Sequence, residues 1–210
     1  MGFVFLFAIT VHEAAHGWAA HKLGDSTAYQ LGRVTLNPIA HIDPIGTIIF
    51  PLLMIVMRSP ILFGWAKPVP VNPLNLRNPR RDNLLISAAG PLSNLSVACL
   101  AFLGIIILKS LSPETFVEKG ILFHLTSGIY LILYWTIMIN VILAVFNLIP
   151  VPPLDGSGVL MGLLSDEAAM KYEKIRPYGF IIIIFLLMTG ILGRIFGLIF
   201  GIINFFINIL

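Results

Sequence analysis

Apolar positions along the 210 residues run in long blocks, without the short alternations of a half-buried soluble surface. Residues 2–22, 84–108 and 129–148 are near-continuous hydrophobic stretches, and residues 178–210 form a further apolar region whose one charge is Arg194. An α-helix rises 1.5 Å per residue, so about twenty such residues cross a hydrocarbon core about 30 Å thick. The pattern predicts an all-α polytopic membrane protein. Three core helices are expected at 2–22, 84–108 and 129–148, with a C-terminal helix in 178–210, as a single membrane-embedded domain over 1–210. The last region suits one span with an interfacial tail, the arrangement favoured here; a helical hairpin turning at Gly190 to Arg194 would also fit.

Between the first two blocks the rhythm changes. Gly24-Asp25, Asn37-Pro38, Asp43-Pro44, Lys67-Pro68, Asn72-Pro73 and Asn78-Pro79 punctuate Leu23 to Asn83, and such turn chemistry argues for loops and extended pieces. Ala28 to Leu36 and Trp65 to Val71 read as short strands, a β-hairpin-like element at the membrane surface. Residues 45–63 are apolar but interrupted by Pro51, Arg58 and Pro60. If this segment returns to the face it left, ten basic residues share one face: Lys22, Arg33, Arg58, Lys67, Arg77, Arg80, Arg81, Lys171, Lys174 and Arg176. Only Lys109 and Lys119 then lie opposite, whereas a full crossing splits them eight to four. Short basic loops stay cytoplasmic, so a re-entrant or surface-lying segment over 45–63 and a cytoplasmic basic face are expected.

Composition confirms the class. Hydrophobic residues make up 58% of the chain and charged residues 11%, against roughly 25% charged in soluble domains, and the mean hydropathy is +0.95. A net charge of +3 carried in short loops sets topology, and no nucleic-acid motif accompanies it. Cys99 is alone and fits a small apolar filler. No Lys or Arg precedes the first apolar block, so a signal peptide is not expected.

Inside that first block stands His12-Glu13-Ala14-Ala15-His16, an HExxH motif. Histidines four apart project from one helix face and can grip one zinc while Glu13 leans over the open coordination position. Three ionisable groups within five residues of a membrane helix are costly without a partner such as a metal. The bland alternative is a helix end whose polar groups meet headgroup water. Downstream, Phe146 to Gly156 carries Pro150, Pro152 and Pro153, which stop a regular helix, and unwound backbone at membrane depth needs protein or a cavity around it. Asp155 at the end of that break suits a third ligand, leaving the fourth tetrahedral position for water. It would serve equally as N-cap of a following helix. His21 falls one residue short of an extended three-histidine pattern and is expected at the interface.

Together these elements resemble the site-2 protease family of intramembrane zinc metalloproteases. The resemblance rests on His12 to His16, on Ala89-Gly90-Pro91, and on the Asn147-x-x-Pro-x-Pro-x-x-Asp-Gly156 run, in family order across most of residues 1–160. It implies one zinc held by His12, His16 and Asp155, with Glu13 as general base and Asn147 near the scissile carbonyl as oxyanion donor. It also implies cleavage of a single-pass membrane protein within or near the bilayer. The chain departs from the family in two ways: fewer than twenty residues separate Lys109 from Ser127, too few for an extracytoplasmic PDZ domain, and Ser157 stands where a second Gly is common. A compact bacterial or archaeal type is implied, multi-pass in a bacterial cell membrane, with the site reached from the cytoplasm.

Two rivals belong to other classes. A membrane zinc carrier also needs His and Asp in its spans but has no use for a base at Glu13. An inactive protein that binds membrane segments would be free to lose Glu13 or a ligand. The expected partners are the lipid bilayer and a single-pass substrate, not nucleic acid, and a regulatory membrane partner or a homo-oligomer stays open.

Overall fold

A computed structural model describes residues 1–58, 64–111 and 121–209. Residues 59–63 of the expected re-entrant segment, and 112–120 with Lys119, lie outside the described residues. The chain opens with helix α1, Gly2–Leu23. It ends at Gly24, whose left-handed φ of 117° suits a residue without Cβ. There the Asp25 amide bonds back to the Ala20 carbonyl at 2.9 Å. A short helix α2 (Thr27–Gln30) and a 3₁₀ turn (Pro38–His41) follow, then a π turn (Pro44–Ile49) running into α3 (Phe50–Val56). Two long helices come next, α4 (Pro79–Leu111) and α5 (Ile121–Asn147). The C-terminal part is α6 (Asp155–Leu163), α7 (Asp166–Glu173), α8 (Gly179–Met188) and α9 (Ile191–Ile209).

Helices α1, α4, α9 and residues 123–147 of α5 are each long and apolar enough to cross a membrane, which bears out the all-α polytopic reading. At 33 residues α4 reaches about 50 Å, so it outruns the hydrocarbon. The C-terminal region divides at Gly190 (φ 70°), leaving only α9 long enough to cross, with the short apolar α8 before it instead of a tail behind. Small residues let the helices approach closely, as membrane packing requires. Ala101 and Ile105 of α4 meet Ile137 of α5 and Ile207 of α9. The Lys109 ammonium donates to the Ile207 carbonyl at 2.6 Å, satisfying a helix-end oxygen.

The expected strands do not form; among the described residues there is none. The start of Ala28 to Leu36 closes into α2 and a turn at Gly32. Residues 64–72 are extended, but Pro68 and Pro70 remove the alternate amides of one edge, so a ladder could run only along the other. Three of their remaining donors go to separate partners: Trp65 N–H to the Gly46 carbonyl (3.1 Å), Lys67 N–H to that of His41 (2.9 Å), and Asn72 N–H to Asp25 Oδ2 (2.6 Å). Arg33 replaces the missing ladder by donating from its guanidinium to the Lys67 carbonyl at 2.7 Å. Residues 41–47 and 64–67 are thereby stitched together, so Gly46 and Trp65 lie side by side. Pro44–Val56, at 13 residues, is too short to cross.

Asp25, fully buried, is the hub of this layer. Its carboxylate accepts from Thr27 N–H and Oγ1, Asn75 Nδ2 and Asn72 N–H. Burial alone would raise its pKa, but these donors, Thr27 and Asn75 foremost, outweigh it and hold the group below its ordinary value. A depressed carboxylate contributes stability above its unfolded pKa of about 3.9 and loses it as pH falls through the lower folded value. Asp25→Ala is therefore expected to cost about 1–3 kcal/mol at neutral pH, by stranding the Asn72 amide. The deficit against wild type should shrink under acid. Thermal unfolding in detergent, scanned from pH 7 to pH 3, checks both.

Candidate active site

Three side chains from two distant parts of the chain converge. His12 and His16 lie one turn apart on α1 and are 7% and 8% exposed. Asp155, the first residue of α6, arrives from the other end of the sequence because Pro150 to Leu154 forms a tight turn beneath that helix. A Cβ on Gly156 would strike the Leu148 and Ile149 carbonyls, so the turn tolerates nothing larger there. Helix α6 is laid on α4 by two more close approaches, Gly158 against Ser87 and Asn83, and Gly162 against Leu84. Gly90 completes the arrangement, since a methyl group there would collide with both imidazoles. The Gly-Pro step recognised in the sequence is thus the wall of the site.

The Nε2 atoms of His12 and His16 stand 3.0 Å apart, and Asp155 oxygens lie 3.0 Å and 3.3 Å from them. Ligand atoms about 2.0–2.2 Å from a tetrahedral zinc are separated by about 3.3–3.6 Å, so the triangle fits the ion within a few tenths of an ångström. The electronic state fits as well. His16 Nδ1 is 2.7 Å from the Ile86 carbonyl, an oxygen that only accepts, so the ring hydrogen is at Nδ1 and the Nε2 lone pair faces inward. Asp155 Oδ2 is buried and accepts no hydrogen bond among the described residues. Lone pairs gathered this closely around an orphaned carboxylate oxygen are stable around a cation and unfavourable without one. Asp155 makes no capping hydrogen bond; Leu154 occupies the cap position.

Glu13, half-buried on the same helix, is held from the side by the extended segment: Val69 N–H donates to its Oε2 at 2.8 Å. That bond leaves Oε1 available. Asn147 ends α5 and is not part of the cluster; its Nδ2 donates to the Leu143 carbonyl of its own helix at 3.0 Å, which occupies one of the two amide hydrogens. His21 is also apart, with Nδ1 on Ser26 Oγ (3.0 Å) and its ring stacked on Tyr29. Among the described residues, His12, His16 and Asp155 are the one group of three such side chains able to hold a metal.

Reading along the chain overlooks Val69, Arg33 and Asn140. Val69 contributes only backbone, which carries no residue-type signal. Arg33 reads as a topology charge yet is buried. Asn140 had a signal, an amide within an apolar span.

Comparison with known proteins agrees with this geometry. The family model described as Peptidase family M50 matches residues 1–190. A Bacillus subtilis (strain 168) protein named "Putative zinc metalloprotease YwhC" is 38% identical over 184 residues, 88% of this chain and 78% of that one. Two mycobacterial proteins named "Putative zinc metalloprotease Rip2" are more distant. That of Mycolicibacterium smegmatis is 28% identical, covering 91% of this chain and 68% of its own. That of Mycobacterium tuberculosis (strain H37Rv) is 27% identical, covering 88% and 66%. No solved structure matches the chain.

Proposed function

The chain belongs to peptidase family M50, the site-2 protease family, and is a membrane zinc metalloprotease; from that premise we propose that it hydrolyses a peptide bond of single-pass membrane proteins within or near the bilayer. The observation that carries this reading is the triangle formed by buried His12 and His16 with partly buried Asp155, at the middle of a span. His12 is about ten residues into α1, or about 15 Å along its axis, so a scissile bond must be brought to membrane depth. A substrate that already crosses the bilayer does so without first burying polar backbone from water.

His12, His16 and Asp155 hold the metal, and Glu13 is the general base. Zinc supplies a Lewis acid that polarises the carbonyl and makes water acidic near neutral pH. Glu13 Oε1 takes the proton of the attacking water while Oε2 stays on the Val69 amide, so the carboxylate is aimed before the reaction begins. The proton is then delivered to the leaving amine nitrogen. Asn147, with one amide hydrogen uncommitted, is the donor for the developing oxyanion. Access is from the cytoplasm of a bacterial cell, which the ten-to-two basic asymmetry and the bacterial relatives support.

The test is a reconstituted panel of single-pass membrane proteins of both orientations beside an unfolded soluble protein, with products mapped by mass spectrometry. Cuts confined to membrane substrates, in the cytoplasmic half of the span, are expected. Equal cleavage of the soluble chain would overturn the substrate class, and cuts in the opposite half would overturn the side of access.

A further inference from the structure

Two asparagines that the reaction does not use, Asn94 on α4 and Asn140 on α5, are fully buried in apolar spans. Burying an amide there is unfavourable unless every polar atom is matched, and here the matching fixes the orientation of both groups. Asn140 Nδ2 is 2.8 Å from the Thr136 carbonyl, which can only accept, so Asn140 Oδ1 points away from it. That oxygen is 2.8 Å from Asn94 Nδ2, and the same Nδ2 is 3.1 Å from the Ala8 carbonyl, a second pure acceptor. Both Asn94 amide hydrogens are therefore committed, and its Oδ1 must face the remaining partner, His12 Nδ1, at 2.6 Å. An amide oxygen has no hydrogen to give. The hydrogen in that bond is on His12 Nδ1, and the lone pair is on Nε2, the atom 3.0 Å from Asp155.

Turning the Asn94 amide over would set its oxygen against the Ala8 carbonyl and Asn140 Oδ1, breaking two buried bonds at once. The relay is thus directional: Thr136 orients Asn140, which together with Ala8 orients Asn94, which orients His12. We propose that Asn94, locked by Asn140 and the Ala8 carbonyl, is a positioning residue that fixes His12 in its Nδ1–H tautomer and presents the Nε2 lone pair before an ion arrives. Without an acceptor at Nδ1, the ring could carry its hydrogen on Nε2 or rotate, and ligation would have to reverse either change first. This proposal rests on the reading of His12 as a zinc ligand.

Zinc affinity of the full chain in detergent tests it, read by competition with a chelator of known affinity and so independent of turnover. Asn94→Leu and Asn94→Asp both lose the two bonds donated by Nδ2; only Asn94→Asp keeps an oxygen for His12 Nδ1. The proposal expects about 10–100-fold weaker zinc binding in Asn94→Leu and a change of no more than about threefold in Asn94→Asp, even where their apo-protein melting temperatures fall alike. Asn140→Leu should lose less than Asn94→Leu, because Ala8 still holds Asn94. Wild-type affinity in folded Asn94→Leu overturns the proposal, as does equal weakening in the Leu and Asp variants, which a packing role would produce. Should Asn94→Leu fail to fold, the other two decide: retention in Asn94→Asp with weakening in Asn140→Leu supports the relay, and any other pattern overturns it. His12→Ala separates the two levels. Undiminished zinc in that variant removes His12 from the ligand set, whereas zinc lost there but kept in Asn94→Leu removes only the relay.

Discussion

Glu13→Gln is expected to bind one zinc per chain, fold as wild type does, and lose peptide-bond cleavage by about 10²–10⁴-fold. The reasons are local. The amide oxygen of a glutamine can still accept the Val69 N–H, so the extended segment keeps its anchor on α1. What disappears is a group able to take a proton from water and give it to the leaving amine. The triangle of His12, His16 and Asp155 is untouched, which is why metal content should not change. Zinc by elemental analysis and single-turnover cleavage, measured on the same preparation, check the two halves. A variant that cleaves at the wild-type rate would take Glu13 out of proton transfer.

Asp155→Ala should have the opposite signature, near-complete loss of zinc from a level of about one per chain. Two imidazoles on one helix leave the ion with half of a tetrahedral set. Among the described residues the carboxylate is also the one member of the ligand group from outside α1, and one of its oxygens accepts no hydrogen bond among them. The folded state should survive, since α6 is held to α4 through Gly158 and Gly162 and does not depend on the Asp155 carboxylate as a cap. Elemental analysis of detergent-purified protein checks this, with helix content followed alongside. Full zinc in the variant would mean that Asp155 lies outside the ligand set.

How much of this was legible before the structure depends on the range of the signal. The spans were readable because about twenty apolar residues in a row are a local fact, and HExxH was readable because ligand spacing on one helix is local too. Asp155 could be nominated from its position after Pro150, Pro152 and Pro153, although its convergence with His12 spans most of the chain. The strands were misread for a physical reason. Residues 64–72 have the β-propensity of Val69 and Val71, but Pro68 and Pro70 strip one edge of its amides and the other edge bonds to separate parts of the chain. Their order comes instead from Arg33, His41, Asp25 and Glu13, and no periodicity records such single long-range bonds. Asn94 was visible as a polar residue in a span, yet its direction is set by Asn140 and two carbonyl oxygens on other turns. The break at Gly190 escaped a firm reading because residues on both sides of it are equally apolar.

Hydrolysis of a peptide bond at membrane depth can be read from the oxygen that enters the product. Purified zinc-loaded protein is reconstituted with a single-pass substrate in ¹⁸O-water, and the new C-terminus is analysed by mass spectrometry. One ¹⁸O is expected in a carboxylate at a bond within or near the substrate span, formed about 10²–10⁴-fold more slowly by Glu13→Gln. Zinc-loaded wild type that yields no product across the panel, or labelled product from Glu13→Gln at the wild-type rate, would contradict that reading.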